Sequence, residues 1–178
     1  MEYRRAWSPG GCFFFTVVTY KRQPILTIPE NISRLRKAFA HVKHKRQFEI
    51  DGIVVLPNHL HSIWQLPEDD DDFATRWRLI KHFFSKSYLS IEKIQNRSRQ
   101  SKNEKTVWQR RYWEHLIRGE NDWQRHMDYI HYNPVKHGLV ERACDWPYSS
   151  FERAVEQGLY ERDWGTNEPD TLKGMDFE

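Results

Sequence analysis

The chain predicts an α+β fold, an antiparallel sheet with helices packed on it, and three observations predict it. β-branched and aromatic runs alternate with helical periodicities in the order strand, helix, strand, strand, helix, strand, helix. Two of the strands, 48–56 and 59–66, are joined by Pro57-Asn58 alone, a turn that makes them a hairpin. With 178 residues, among them 8 Trp, 8 Tyr and 10 Phe, the chain is long enough for one domain with a sizeable core.

Each element has its own warrant. Residues 13–20 (Phe-Phe-Phe-Thr-Val-Val-Thr-Tyr) are β-branched or aromatic throughout and read as a central strand. After a loop over 21–29, residues 30–46 place Ile32, Leu35, Phe39 and Val42 on one helical face, with basic residues over the remainder. The hairpin follows. The acids Glu68 to Asp72 precede a helical pattern over 73–88 and suit a helix start, where negative charge meets the positive end of the backbone dipole. Residues 90–106 are polar, a loop or a weak extension of that helix. A strand is expected over 108–117. A helix over 121–133 opens on a capping box, Asn121 with Gln124, and stops at Pro134. A short extended piece is expected over 135–140. A last helix opens on a second capping box at Ser149-Ser150-Phe151-Glu152 and closes at Gly158.

The net charge of +3 is unevenly spread. Residues 161–178 hold six acids against two bases, net −4, so residues 1–160 carry +7. The chain thus divides into a domain over 1–160, with a basic arm over 1–11, and an acidic tail over 161–178. A basic body suits a polyanion partner. Arg4 and Arg5 precede Pro9-Gly10-Gly11, a joint that lets the arm reach a phosphate backbone. Cys12 and Cys144 are isolated, as in a reduced cytoplasmic protein. There is no apolar run of membrane-spanning length and no signal-peptide pattern, so no membrane partner is expected.

Two stretches carry chemistry. His59 and His61 start a strand, point to one face and lie roughly 7 Å apart at Cα, so two imidazoles can share one metal ion. Leu60 and Trp64 point to the other face. On the helix over 121–133, Trp123, Met127 and Ile130 form the core stripe, with Tyr129 and Asn133 stacked beside it and Tyr132 turned away. Tyr129, rather than Tyr132, is the tyrosine expected to meet a cleft.

Taken together, Glu2-Tyr3-Arg4-Arg5, Val55 to His61, Trp108 to His115, Tyr129 to Gly138 and Asp145 to Ser150 resemble the REP-associated tyrosine transposases. These are bacterial relatives of the IS200-like single-tyrosine HUH transposases, tied to repetitive extragenic palindromes. The resemblance implies a ferredoxin-like (RRM-like) sheet with the His pair on a central strand. It implies a metal-dependent endonuclease and strand transferase acting on single-stranded or hairpin DNA through a covalent 5′-phosphotyrosine. On that basis Tyr129 is the nucleophile, and His59, His61 and Asn133 hold Mg²⁺ or Mn²⁺. Other branches of the superfamily use Gln where this chain has Asn133. Arg4, Arg5, Lys81, Arg110, Arg111 and Lys136 are the expected DNA contacts, with Arg110 and Arg111 near the edge of the sheet. The expected state is a monomer, with a homodimer as the alternative, in the bacterial cytoplasm and associated with the nucleoid. Two other readings stand beside it. One is an inactive relative that regulates by binding single-stranded or hairpin nucleic acid; the other is a nuclease whose metal activates water, with Tyr129 in the core.

Overall fold

The computed structural model describes residues 8–95 and 107–177, with side chains over 8–88 and 107–177. Arg4, Arg5 and most of the polar stretch before Val107 lie outside the described residues. The elements run β1 (Cys12–Val18), α1 (Pro29–Lys45), β2 (Glu49–Val55), β3 (His59–Gln65), α2 (Phe73–Gln95), β4 (Trp113–Leu116), α3 (Glu120–Lys136) and α4 (Phe151–Glu156). The sheet order is β2-β3-β1-β4, every neighbour antiparallel. This is the ferredoxin-like arrangement of two interleaved strand–helix–strand units. No helix among the described residues is long and apolar enough to cross a membrane.

Strand alternation sorts the core into two layers. Phe13, Phe15, Val17, Leu60 and Trp64 face α1 and α2, where Trp64 stacks on Trp77 at 4.3 Å between ring centres. Phe14, Val54 and Ile63 face α3 and meet Met127, Tyr129 and Ile130. α3 lies close to the sheet where β2 carries Gly52, just after an irregularity in its pairing with β3 between Ile50 and Gly52. A Cβ there would fall 2.6 Å from the Met127 sulfur. The acids before α2 act at the helix start. Asp72 accepts from the Thr75 amide at 3.0 Å, and Asp70 takes two bonds from the buried Arg76 guanidinium at 2.7 and 3.0 Å.

Four local expectations need correcting. The helix expected from Asn121 starts at Glu120 behind Gly119, and no side chain caps it. Gln124 bonds instead to Asp128 and Tyr160, partners distant in sequence or on its own face. Pro134 lies inside α3, which runs on to Lys136, so residues 135–140 form a helix end and turn rather than an extended piece. Proline there gives up one amide bond along the helix, which ends two residues later; the His137 and Gly138 amides turn back to Asn133 and Val135. The strand expected over 108–117 pairs in the sheet only from Trp113 to Leu116, with Trp108 in an isolated bridge to Thr19. At the last helix Ser149 Oγ accepts from the Phe151 amide, but Ser150 is drawn away to bond the Ile53 amide and His131.

His131 is fully buried, and burial pushes its pKa down to about 3. A depressed imidazole pKa means that the unfolded chain binds the proton better. Its contribution is therefore complete above pH 6.5 and is lost as pH falls toward the folded value. Stability should drop by roughly 2–3 kcal/mol over the first two pH units below that point, on top of other acid effects. Urea midpoints measured across this range check it. His131→Gln should flatten the slope by about one proton; an unchanged slope would remove His131 from the account.

Candidate active site

The antiparallel register places Thr16 on β1 opposite His61 on β3, and the Thr16 hydroxyl meets His61 Nδ1 at 2.9 Å. His59 Nδ1 donates to Asn58 Oδ1 at 2.6 Å. Both rings are thus anchored through Nδ1, so Nε2 is the atom each can present to a ligand. Their centres are 4.9 Å apart. Burial, followed by the charges of neighbouring His59, His137, Lys136 and Arg22, holds His61 well below the ordinary imidazole range. It is neutral near pH 7, the form that ligates metals.

α3 delivers the other half. Tyr129 is buried, its ring 5.1 Å from that of His61, whereas Tyr132 is half-buried on another side of the helix, beside Gly165. Asn133, one turn beyond Tyr129, is fully buried, and among the described residues neither polar atom of its side chain has a hydrogen-bond partner; nor does His61 Nε2. Buried polar atoms of this kind call for a partner. An oxygen and imidazole nitrogens are donors that a divalent cation such as Mg²⁺ or Mn²⁺ accepts, so the residues fit the expected metal.

The C-terminal residues pack against this helix. Leu172 is buried against the α3 face of the core, and Thr171 donates to Asp128 at 2.7 Å. The Phe177 amide donates to Tyr129 Oη at 3.3 Å, and Asp176 pairs with Lys136 at 3.3 Å. The Lys136 ammonium also lies over the Tyr129 ring, 5.1 Å from its centre.

The expected DNA contacts fall in two places. Lys136 stands beside Tyr129. Lys81 and Arg110 share a groove of about 390 Å³ with Ala74, Thr75, Arg78 and Tyr112, on the α2 side. There Lys81 bonds the Gln109 carbonyl and lies over the Tyr112 ring, and burial lowers its pKa to about 8. Arg111 is exposed next to Arg110.

Sequence reasoning missed His115, Asp122 and His126, which bring three potential metal-ligand atoms within 4.8 Å of one another. His115 Nε2 meets Asp122 at 2.8 Å, and Asp122 also accepts from the Arg118 amide at 2.7 Å. The spacing of Asp122 and His126, four apart on a helix, was visible; His115 comes from β4, and only the fold brings it there. Asp128 was missed as well. It is buried and accepts from Tyr160, Thr171 and Gln124.

Residues 13–133 match the family model described as "Transposase IS200 like", a span that contains His59, His61, Tyr129 and Asn133. A REP-associated tyrosine transposase of Escherichia coli (strain K12) is 45% identical over 174 residues, 97% of this chain and 96% of that one. A Haemophilus influenzae relative is 43% identical over 173 residues, 97% of this chain and 98% of its own. The solved structure of a REP-associated tyrosine transposase bound to a REP hairpin matches at a TM-score of 0.80 and 44% identity, over 96% of each chain. With a matching family model across most of its length and near full-length relatives well above 30% identity, this chain belongs to the IS200-like transposases, in the REP-associated tyrosine branch.

Proposed function

We propose that this transposase cuts and rejoins single-stranded or hairpin DNA of the REP type, with Tyr129 as nucleophile, and works as a monomer. The observation that carries the proposal is the Tyr129 ring against His61, with Asn133 one turn along the same helix. Tyr129 Oη attacks the scissile phosphorus and loses its proton. The bond from phosphorus to the 3′ oxygen breaks, that oxygen leaves as a free hydroxyl, and the strand remains as a 5′-phosphotyrosine. Attack by another 3′-hydroxyl reverses the step and joins new ends. Held by His59, His61 and Asn133, Mg²⁺ or Mn²⁺ would supply Lewis-acid stabilisation of phosphate charge. Lys136 lies where it can meet a phosphate oxygen beside Tyr129. Lys81, Arg110 and Arg111 give a second basic surface for the paired stem, and the Arg4-Arg5 arm a third contact.

Incubation with labelled hairpin oligonucleotides and Mn²⁺, resolved on a denaturing gel, tests this. A protein–DNA adduct is expected with hairpin or single strands and far less with plain duplex. Cleavage without an adduct would favour the water-activating nuclease. Binding without cleavage would favour a regulator, a reading to which the tail contact on Tyr129 lends some weight.

The same contact supports a further part of this reading, that the tail competes with DNA. Deleting residues 175–178 should raise cleavage about tenfold at low salt, less at high salt as charge is screened. Cutting after Tyr160 is a poorer test, since it also removes the buried Leu172 and the Trp164 ring that packs on Tyr160. Equal initial rates for full-length and shortened protein would end the idea.

A further inference from the structure

The α3 face of the sheet carries a second feature near the nucleophile. Pairing of β1 with β4 sets Thr16 opposite Trp113 and Phe14 opposite His115, so Trp113 lies in the same cross-strand row as Thr16 and His61. Two interstrand spacings put it roughly 10 Å from His61. Trp113 and His115 are parallel within 7°. His126 lies over His115 at 4.7 Å and 16°, and Phe177 lies over Trp113 at 4.8 Å and 17°. Phe177 is also parallel to His126 within 12°, at 5.0 Å. Four rings thus form a two-by-two parallel array, and only Phe177 comes from outside the sheet and its helix.

The rest of the tail contact has the chemistry of a nucleotide. The Asp176 carboxylate sits on Lys136, as a phosphate would, and the Phe177 amide touches Tyr129 Oη. Trp113 is still 38% exposed with the tail in place, which leaves room for a ring larger than phenyl.

We propose that Trp113, flanked by His126, is the seat of an unpaired nucleobase next to the scissile phosphate, and that Asp176-Phe177 occupies it by imitating one nucleotide. This rests on the proposed tyrosine chemistry and adds to it the place where the flanking strand is gripped. Lys136 takes the phosphate of the same nucleotide. The base is held by its face, so the seat accepts any of the four bases and prefers purines for their larger area. Stacking of one base on an aromatic ring is worth roughly a 5- to 150-fold change in affinity.

The experiment uses the full chain and the form lacking residues 175–178, with hairpin oligonucleotides carrying one abasic site at each unpaired position in turn. One position should weaken binding of the shortened protein within that range. At that position the abasic site should cost nothing further in Trp113→Ala, while Trp113→Phe keeps most of the affinity. Equal losses for Trp113→Ala with every oligonucleotide, abasic or not, would overturn the seat. A direct measurement needs no variant at Trp113. 2-Aminopurine at the same position should be quenched on binding the shortened protein and much less on binding the full chain. No quenching at any unpaired position also overturns the proposal. Both readouts are of binding, so absence of a covalent adduct would sink the tyrosine chemistry without touching them. An adduct formed with no position-specific coupling to Trp113 would sink the seat alone.

Discussion

Tyr129→Phe is expected to abolish strand cleavage, by at least ~10³-fold, and to leave hairpin binding near that of the unaltered protein. The substitution removes one oxygen. Its ring keeps the contacts with His61, Phe14 and Phe177, so little packing is lost. The oxygen accepts a hydrogen bond from the Phe177 amide at 3.3 Å, and losing that bond costs about 1 kcal/mol or less of stability. Tyr132→Phe is the matched control. Tyr132 is half-buried beside the residues that follow Tyr160, where burial and the nearby Glu168 raise its pKa. Its cleavage rate should stay within about twofold of the parent. Gel assays for cleavage and for the adduct, run beside a binding titration, read both. If Tyr132→Phe is dead and Tyr129→Phe active, the helical-face assignment is wrong and the nucleophile lies on the other side of α3.

The facing of these side chains shows why so much of the candidate site could be placed from the sequence. The side-chain periods of helix and strand are fixed by backbone geometry, so facing can be counted from residue numbers. Counting put Tyr129 inward with Met127 and Ile130, and Tyr132 elsewhere. It also put His59 and His61 opposite Leu60 and Trp64, as the two core layers have them. β-branched and aromatic runs gave β1, β2 and β3 within two residues of their observed ends.

The rest needed contacts between residues far apart in sequence. β4 is four residues long because residues 110–112 leave β1 between the Thr19–Trp108 bridge and the Thr16–Trp113 pair, although β1 itself runs on to Val18. Both capping boxes had the right residue types, but tertiary partners claimed the side chains: Gln124 turned to Tyr160, and Ser150 to Ile53. The acidic stretch after Tyr160 lacks apolar periodicity, because its few apolar residues are not repeated. Leu172, Met175 and Phe177 each fill a place offered by α3 and β4. A single anchor of this kind has no signature until its socket is known. Likewise His115 meets Asp122 only through the turn between β4 and α3.

His61→Ala should remove metal-dependent cleavage almost completely, by ~10²-fold or more at any practical concentration of Mn²⁺, and His59→Ala should do the same. Hard divalent ions bind weakly to few protein ligands, and two remaining donors hold them poorly. The effect must be separated from damage to the fold. His61 is fully buried and stacks on Phe14 at 5.4 Å, so Ala leaves a cavity that costs about 2–3 kcal/mol. A melting curve measures that loss, and assays well below the midpoint remove it from the comparison. The cluster of His115, Asp122 and His126 supplies the contrast, because it is the other place among the described residues able to take a cation. If that cluster held the ion that cleavage needs, Asp122→Asn would shift the metal titration and His61→Ala would not. The anchored rings of His59 and His61, the unsatisfied side chain of Asn133 and the nearness of Tyr129 argue for the opposite pattern. Asp122→Asn should therefore keep its Mn²⁺ midpoint within about twofold, while His61→Ala shows no midpoint at all. Full activity of His61→Ala, or undiminished cleavage by the parent in chelator, would exclude the His pair as the metal site.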